Sequence, residues 1–221
     1  MIDKNNSIEI ADFPHVSGEW LRGRGNESDV VISTRVRLAR SIRGFNFPLK
    51  MSEERKTEIV ELVGETVQGR AMRFDLQDSS SIDRAFLVER HLISKELANG
   101  DGARSAIFGR GEMISIMVNE EDHLRVQVLR SGMQLGEAFE QINRIDNELE
   151  KRLDFAFSQK YGYLTACPTN VGTGIRVSVM LHLPALSLTG DLKKVQNAAN
   201  DLKLAVRGYY GEGSESSGNF F

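Results

Sequence analysis

Apolar and polar positions alternate from Ile32 through the run Val30–Leu38, placing Thr34, Val36 and Leu38 on one side and Ser33, Arg35 and Arg37 on the other. A period of two is that of a half-buried strand, and this one displays two arginines side by side. Ser52 stands at a helix N-cap position before Glu53 and Glu54, with the stripe Ile59, Leu62, Val63 and Val67 behind them and Gly69 just beyond. Met113–Val118 and Leu124–Leu129 are β-like runs joined by Asn119-Glu120-Glu121-Asp122-His123, which predicts a hairpin with an acidic turn. In the second run Arg125 and Gln127 share the polar face. From Met133 to Gln159 the apolar residues keep helical spacing (Leu135, Ala138, Phe139, Ile142, Ile145, Leu149, Leu153, Ala156), predicting one long amphipathic helix ended by Gly162. Ile175–Leu183 alternates again, with Arg176, Ser178, Met180 and His182 opposite the apolar set. A helix over 191–202 and a strand beginning at Ala205-Val206-Arg207 complete the pattern. Residues 1–28 read as an arm, and residues 29–221 as one domain whose last stretch, from Gly208, is a loop. Strands mixed with helices around a central hairpin predict an α+β fold, a mainly antiparallel sheet flanked by helices.

Composition narrows the classes. The 221 residues hold 28 basic and 31 acidic side chains, a net charge of −3, which gives no global drive toward nucleic acid or an anionic membrane. The single cysteine, Cys167, excludes an intrachain disulfide framework and points to a reducing, cytoplasmic setting. The N-terminus lacks the apolar core of a signal peptide, and Ser178, His182 and Pro184 interrupt the longest apolar run. Arginine outnumbers lysine 19 to 9, so the placement of the arginines matters.

Each of four strand-like segments displays arginine on a polar face: Arg35 and Arg37, Arg125, Arg176, and Arg207. Were these strands to share one sheet, the five guanidinium groups would converge and require a polyanion, such as a triphosphate, to offset their repulsion. The alternative for any one of them is a solvated residue or a structural ion pair. Glycine-rich phosphate loops and protein-kinase signatures are absent, so nucleotide binding would be arginine-based. Glu120 and Glu121 lie beside Arg125, and Glu212 follows Gly211. Cys167 opens a loop shaped by Pro168, Gly172 and Gly174, where a thiol is either a small buried hydrophobe or an aimed group activated by nearby cations. His91 and His123 lack metal-pair spacing with any third ligand, and His123 could simply cap the acidic turn; no metal ligands are assigned.

Five segments taken together resemble the ATP:guanido phosphotransferases: Ser33-Thr34-Arg35-Val36-Arg37, Asn119 to Arg125, Cys167 to Gly174, Arg176-Val177-Ser178-Val179, and Arg207 to Glu212. Within the family the chain is similar to the bacterial protein-arginine kinase branch. Only 32 residues precede Ser33, where phosphagen kinases carry a helical domain, and Leu87 to Ser94 and Gly211 to Glu215 are similar to that branch.

The resemblance implies a glutamine-synthetase-like guanido kinase catalytic domain, incomplete at its C-terminal end with an edge strand left unpaired. It also implies transfer of the γ-phosphoryl of MgATP to arginine side chains of proteins. ATP and Mg²⁺ would be held through Ser33, Thr34, Arg35, Val36, Arg37, His91, Arg125, Arg176, Val177, Ser178, Val179, Met180, Arg207, Gly208, Tyr209, Tyr210, Gly211 and Glu212. Glu121 and Glu212 would orient the acceptor guanidinium, one of them acting as base, and Cys167 as a thiolate would hold it electrostatically. The implied partners are protein substrates with exposed arginines, a zinc-binding activator protein, Clp-type protease machinery and a second copy of the chain. A kinase for small guanidino compounds and an inactive nucleotide-binding fragment are the alternatives.

Overall fold

The computed structural model describes residues 18–69, 71–109, 111–206 and 218–221. Its frame is a six-stranded antiparallel sheet in the order β2-β3-β4-β5-β1-β8, with β1 Val31–Arg40, β2 Met72–Asp75, β3 Ser105–Phe108, β4 Ile114–Val118, β5 Leu124–Ser131 and β8 Ile175–Leu181. A separate two-stranded ribbon joins β6 Phe157–Ser158 to β7 Gly162–Tyr163. The helices are α1 Glu53–Val67, α2 Ser81–Glu89, α3 Lys95–Asn99, α4 Leu135–Glu150, α5 Pro184–Thr189 and α6 Leu192–Asp201. No described helix is long and apolar enough to cross a membrane.

Register assigns every strand residue a side, because opposed residues of antiparallel strands face the same way. Val36 lies opposite Val128 and Val177, and Leu38 opposite Val126 and Ile175. This side carries the main core, in which Val36, Ile116, Val126 and Val128 pack with Ile59 and Val63 of α1 and Ala138 and Ile142 of α4. The other side is divided. Over β2, β3 and β4 it is covered by α2, α3 and the chain between them, where Leu87, Leu92 and Leu97 close a second core on Phe74, Phe108 and Met117. Over β5, β1 and β8 the same side carries the arginines. Burying one half of a sheet face while charging the other half is what sets the site.

The capping box at the start of α2 is complete: Ser80 Oγ accepts from the Asp83 N–H at 3.1 Å and Asp83 accepts from the Ser80 N–H at 3.2 Å.

Several expectations change. The helix expected over 133–159 ends at Glu150. Leu153 and Phe155 still enter the core, but from extended chain, because Asp154 accepts from the Arg43 N–H, Phe155 bridges Ile42 and the Ala156 N–H donates to Ser41. Pairing with the exit of β1 outcompetes two more helical turns. The strand expected over 175–183 ends at Leu181, since Pro184 opens α5. Ala205 and Val206 join no ladder, and Arg207 lies outside the described residues. The far end of β8 is not bare: Leu181 exchanges backbone hydrogen bonds with Phe221 at 2.9 and 3.0 Å. Within the expected arm, the short turn Glu19–Leu21 packs on β1 and β5, with Trp20 buried edge-on to His91 at 4.7 Å, and the Met133 N–H donates to Asn26 O at 2.8 Å.

Candidate active site

β1 lies between β5 and β8, so its outward residues meet those of both neighbours. Arg37 lies directly opposite Arg176 on β8, Arg35 opposite Ser178, and Arg125 opposite Ala39, diagonal to Arg37. Four of the five predicted arginines are thus brought together; Arg207 and the run Gly208, Tyr209, Tyr210, Gly211 and Glu212 lie outside the described residues. Burial and the charges of Arg125 and Arg176 lower the Arg35 pKa. Arg37 is lowered to about 9 by burial and then by Arg35, Arg125 and Arg176, with Glu120 working the other way. Such depression marks cations whose ion is held against its neighbours and stabilised by an incoming anion. A pocket lined by Arg37, Leu38, Ala39, Arg125, Asn170, Gly174 and Arg176 opens on this face.

Of the other predicted residues on these strands, Ser33, Ser178 and Met180 share the arginine side by register. Thr34, Val36, Val177 and Val179 face the helix-packed side, so a ligand on the arginines would meet only their backbone. Thr34 is fully buried, its hydroxyl donating to Gly132 O at 2.6 Å and accepting from the Gln134 N–H at 3.1 Å. His91, in the left-handed region at φ 57°, is lowered to about 4 by burial and by Arg35, and is neutral at physiological pH.

Glu120 and Glu121 part company. Glu120 is buried at 4% side-chain exposure, accepting from Arg125 Nη1 at 2.7 Å and from the Ser94 hydroxyl. Burial raises its pKa while Arg125 and Ser94 oppose that. Glu121 is 46% exposed and touches Arg125 only at 3.4 Å. Glu120 is therefore the resident counter-charge and Glu121 the carboxylate open to a second ligand. Their positions in the sequence do not distinguish them; that Ser94 and the α3 end would cover Glu120 is a tertiary outcome.

The turn is self-supporting. Asn119, at φ 58°, donates from its backbone to His123 O at 3.0 Å and from Nδ2 to Lys56 O and Ala103 O at 2.8 and 2.9 Å. His123 does not cap the acidic turn. Fully buried, it accepts from the Ile42 N–H at Nδ1 and donates from Nε2 to Asn46 O, both at 2.8 Å, with its pKa lowered by burial.

Cys167 is half-buried, precedes the short 3₁₀ turn Pro168–Asn170, and contacts Thr169 Oγ1 at 3.0 Å. Its loop is tied at both ends. The Ala166 N–H donates to Asp122 Oδ1 at 2.6 Å, and Arg40 Nη1 donates to Thr173 O at 2.9 Å. Arg40 is itself held by Asp146 of α4 and lies 3.6 Å over the Tyr163 ring, while the Tyr163 backbone pairs with Gly172. The loop thereby brings Asn170 and Gly174 to the arginine pocket. Asp122 and Asn170 carry no distinguishing sequence signal beyond membership in the quoted motifs, and Arg40 and Asp146 lie outside those motifs and the apolar stripe. Among the described residues no group of three or more His, Cys, Asp or Glu is arranged to hold a metal ion.

Residues 50–221 match the profile of the ATP:guanido phosphotransferase C-terminal catalytic domain. Curated relatives named protein-arginine kinase include one from Moorella thermoacetica, 46% identical over 93% of this chain, and one from Geobacillus sp. (strain WCH70), 47% identical over 95%. This chain spans 61% and 60% of their respective lengths. Among solved structures, the duplicated taurocyamine kinase from Schistosoma mansoni with bound transition-state-analogue components superposes with a TM-score of 0.80 at 29% identity, covering 96% of this chain and 31% of that one. A lombricine kinase shares the fold, with a TM-score of 0.77 at 24% identity over 95% of this chain and 64% of that one. With a matched profile over most of its length, relatives at nearly half identity and the same fold in two guanidino kinases, the chain belongs to the ATP:guanido phosphotransferase family.

Proposed function

We propose that this chain is the catalytic core of a protein-arginine kinase, moving the γ-phosphoryl of MgATP to the guanidinium of arginine side chains in proteins, with residues 29–221 as the catalytic unit. The observation that carries the proposal is the set of four arginines on one half of a sheet face, two of them with depressed pKa, with the buried carboxylate Glu120 paired to Arg125. That excess of positive charge suits a triphosphate.

In this reading Arg35, Arg37, Arg125, Arg176 and Arg207 hold the phosphates of MgATP, which enters as substrate. Ser33, Ser178 and Met180 line the same side, the backbones of Thr34, Val36, Val177 and Val179 and the neutral His91 border it, and Gly208, Tyr209, Tyr210, Gly211 and Glu212 complete it. An arginine side chain is protonated below pH 12 and is a poor nucleophile in that form. Glu121 and Glu212 orient it, and one accepts the proton that the attacking nitrogen gives up. The N–P bond forms as the bond from the γ-phosphorus to the β,γ-bridging oxygen breaks, and ADP leaves with that electron pair. Cys167 adds electrostatic hold on the acceptor rather than a covalent bond. The arginines stabilise charge moving onto the leaving oxygen, so positioning and electrostatics supply most of the rate.

The expected partners are proteins with exposed arginines. A zinc-binding activator, Clp-type protease machinery, a homodimer and a cytoplasmic location rest on the resemblance to the protein-arginine kinase branch. The rival reading, a kinase for a small guanidino compound, is favoured by the superposition on the taurocyamine kinase.

The test offers γ-labelled MgATP with an unfolded arginine-rich protein and, separately, with free arginine. Acid-labile label on the protein, lost in Glu121→Ala and Cys167→Ala, is the expected result. Label on the free amino acid alone, or label indifferent to both substitutions, overturns the proposal.

A further inference from the structure

Asp122 follows Glu121 in the turn and is 1% exposed. Its Oδ1 accepts from the Ala166 N–H at 2.6 Å and from the Ser41 hydroxyl at 3.1 Å. Ala166 immediately precedes Cys167, and Ser41 follows the last residue of β1. The turn does not need this side chain for its own shape. Asn119 closes it through the backbone, and the Asn119 and His123 side chains anchor it to Lys56, Ala103, Ile42 and Asn46. The hydrogen bonds of Asp122 instead reach outward, to Ser41, 81 residues earlier in the chain, and to Ala166, 44 residues later. The far end of the Cys167 loop is tied independently by Arg40 to Thr173, a contact that does not involve the turn.

We propose that Asp122 is a positioning residue: its carboxylate fixes the Cys167 loop to the turn that carries Glu121, so that these two groups hold one geometry toward a common acceptor. The proposal rests on the acceptor-side reading of Glu121 and Cys167 given above. A charge-assisted bond donated by a backbone N–H to a buried carboxylate is among the stronger single hydrogen bonds in proteins, and it acts here on the residue adjoining the thiol. A small displacement of a reacting or orienting group is enough to cost about 100-fold in rate, so the bond matters to turnover even where the fold survives its loss.

The experiment compares Asp122→Ala and Asp122→Asn in the whole chain by kinetics and by alkylation of Cys167 with iodoacetamide. Asp122→Asn retains an oxygen for the Ala166 N–H. Asp122→Ala is expected to lower kcat with an arginine-bearing protein about 10- to 100-fold, leave KM for MgATP within about twofold, and speed alkylation several-fold. Asp122→Asn is expected to restore kcat and the alkylation rate to within about threefold of wild type. In a Cys167→Ser background, Asp122→Ala should cost less than about threefold more, because coupled residues are non-additive. Equal losses in the Ala and Asn variants, additive losses with Cys167→Ser, or an alkylation rate unchanged in Asp122→Ala each overturn the proposal. Should Asp122→Ala not fold, Asp122→Ser is read the same way, its shorter side chain falling short of Ala166. Alkylation needs no phosphoryl transfer, so an inactive wild-type chain refutes the kinase reading while the tether is still judged.

Discussion

Arg40 and Asp146 form a buried pair whose loss has a calculable cost. Arg40 is 3% exposed and Asp146 6%. The guanidinium donates from Nε at 3.0 Å and from Nη2 at 2.7 Å to the carboxylate, and from Nη1 to Ala39 O at 2.8 Å and Thr173 O at 2.9 Å. Asp146→Ala removes the only carboxylate that these contacts supply and leaves a cation in the core, a change that costs about 3–5 kcal/mol. Set against a total of about 5–15 kcal/mol for a domain, this is a large fraction, and it corresponds to a fall in Tm of roughly 6–20 °C. Removing both charges, as in Arg40→Met with Asp146→Leu, should recover most of the loss, because well-packed apolar replacements of a buried pair are often neutral. The double variant still lacks the tether to Thr173, so its deficit should appear in turnover. Urea melts followed by far-UV dichroism and by Trp20 fluorescence give the comparison, provided m is unchanged. A loss below about 1 kcal/mol for Asp146→Ala, the scale of an exposed pair such as Lys151–Glu148, would refute the reasoning.

His91 is held neutral in the folded state with a pKa of about 4, below its ordinary 6.5, so the unfolded chain binds more protons between those values and stability falls as pH drops through that window. His91→Asn, which tolerates the left-handed backbone, should flatten that fall in urea midpoints measured from pH 7 to pH 4; equal acid sensitivity would show that the penalty lies elsewhere. Inorganic triphosphate at about 100 times its Kd should raise Tm by roughly 5–10 °C at pH 7.5; an Arg37→Ala chain with the same response would contradict this. Gly174 sits at φ +65° with Ala39 O only 2.5 Å from where a Cβ would stand, so Gly174→Ala should destabilise by about 1–3 kcal/mol or more and reduce triphosphate binding in calorimetry. Ser80→Ala should cost about 1 kcal/mol in urea titration through loss of the α2 cap and leave triphosphate binding unchanged.

The elements read correctly from the sequence share one property: their pattern reports a single, continuous burial environment. β1, the β4–β5 hairpin, α1 and α6 have periods that local geometry reproduces. The failures arise where apolar spacing stays the same while its structural cause changes. Leu153 and Phe155 continue the α4 stripe but are buried by pairing with the exit of β1. β2 and β3 are only four residues each, and α2 and α3 are short, so none of them displays enough of a period to be seen.

For the site, alternation alone put Arg35 and Arg37 on one strand face, and Arg125 and Arg176 on the polar faces of two others. That follows because side-chain direction in a strand is a property of the local chain. Their convergence was conditional on strand order, and strand order depends on pairings across 86 to 139 residues of sequence, as in Ala39 with Arg125 and Arg37 with Arg176. The roles within each motif were equally beyond local reading. Glu120 and Glu121 are chemically identical neighbours, and packing alone buries one against Arg125 and Ser94 and exposes the other. The loop that carries Cys167 is tied at Ala166 by Asp122 and at Thr173 by Arg40, which come from distant segments. Residue type and period are determined locally and so survive in the bare sequence; desolvation, counter-charge and the ties between loops depend on what distant chain lies alongside, and only the folded molecule decides them.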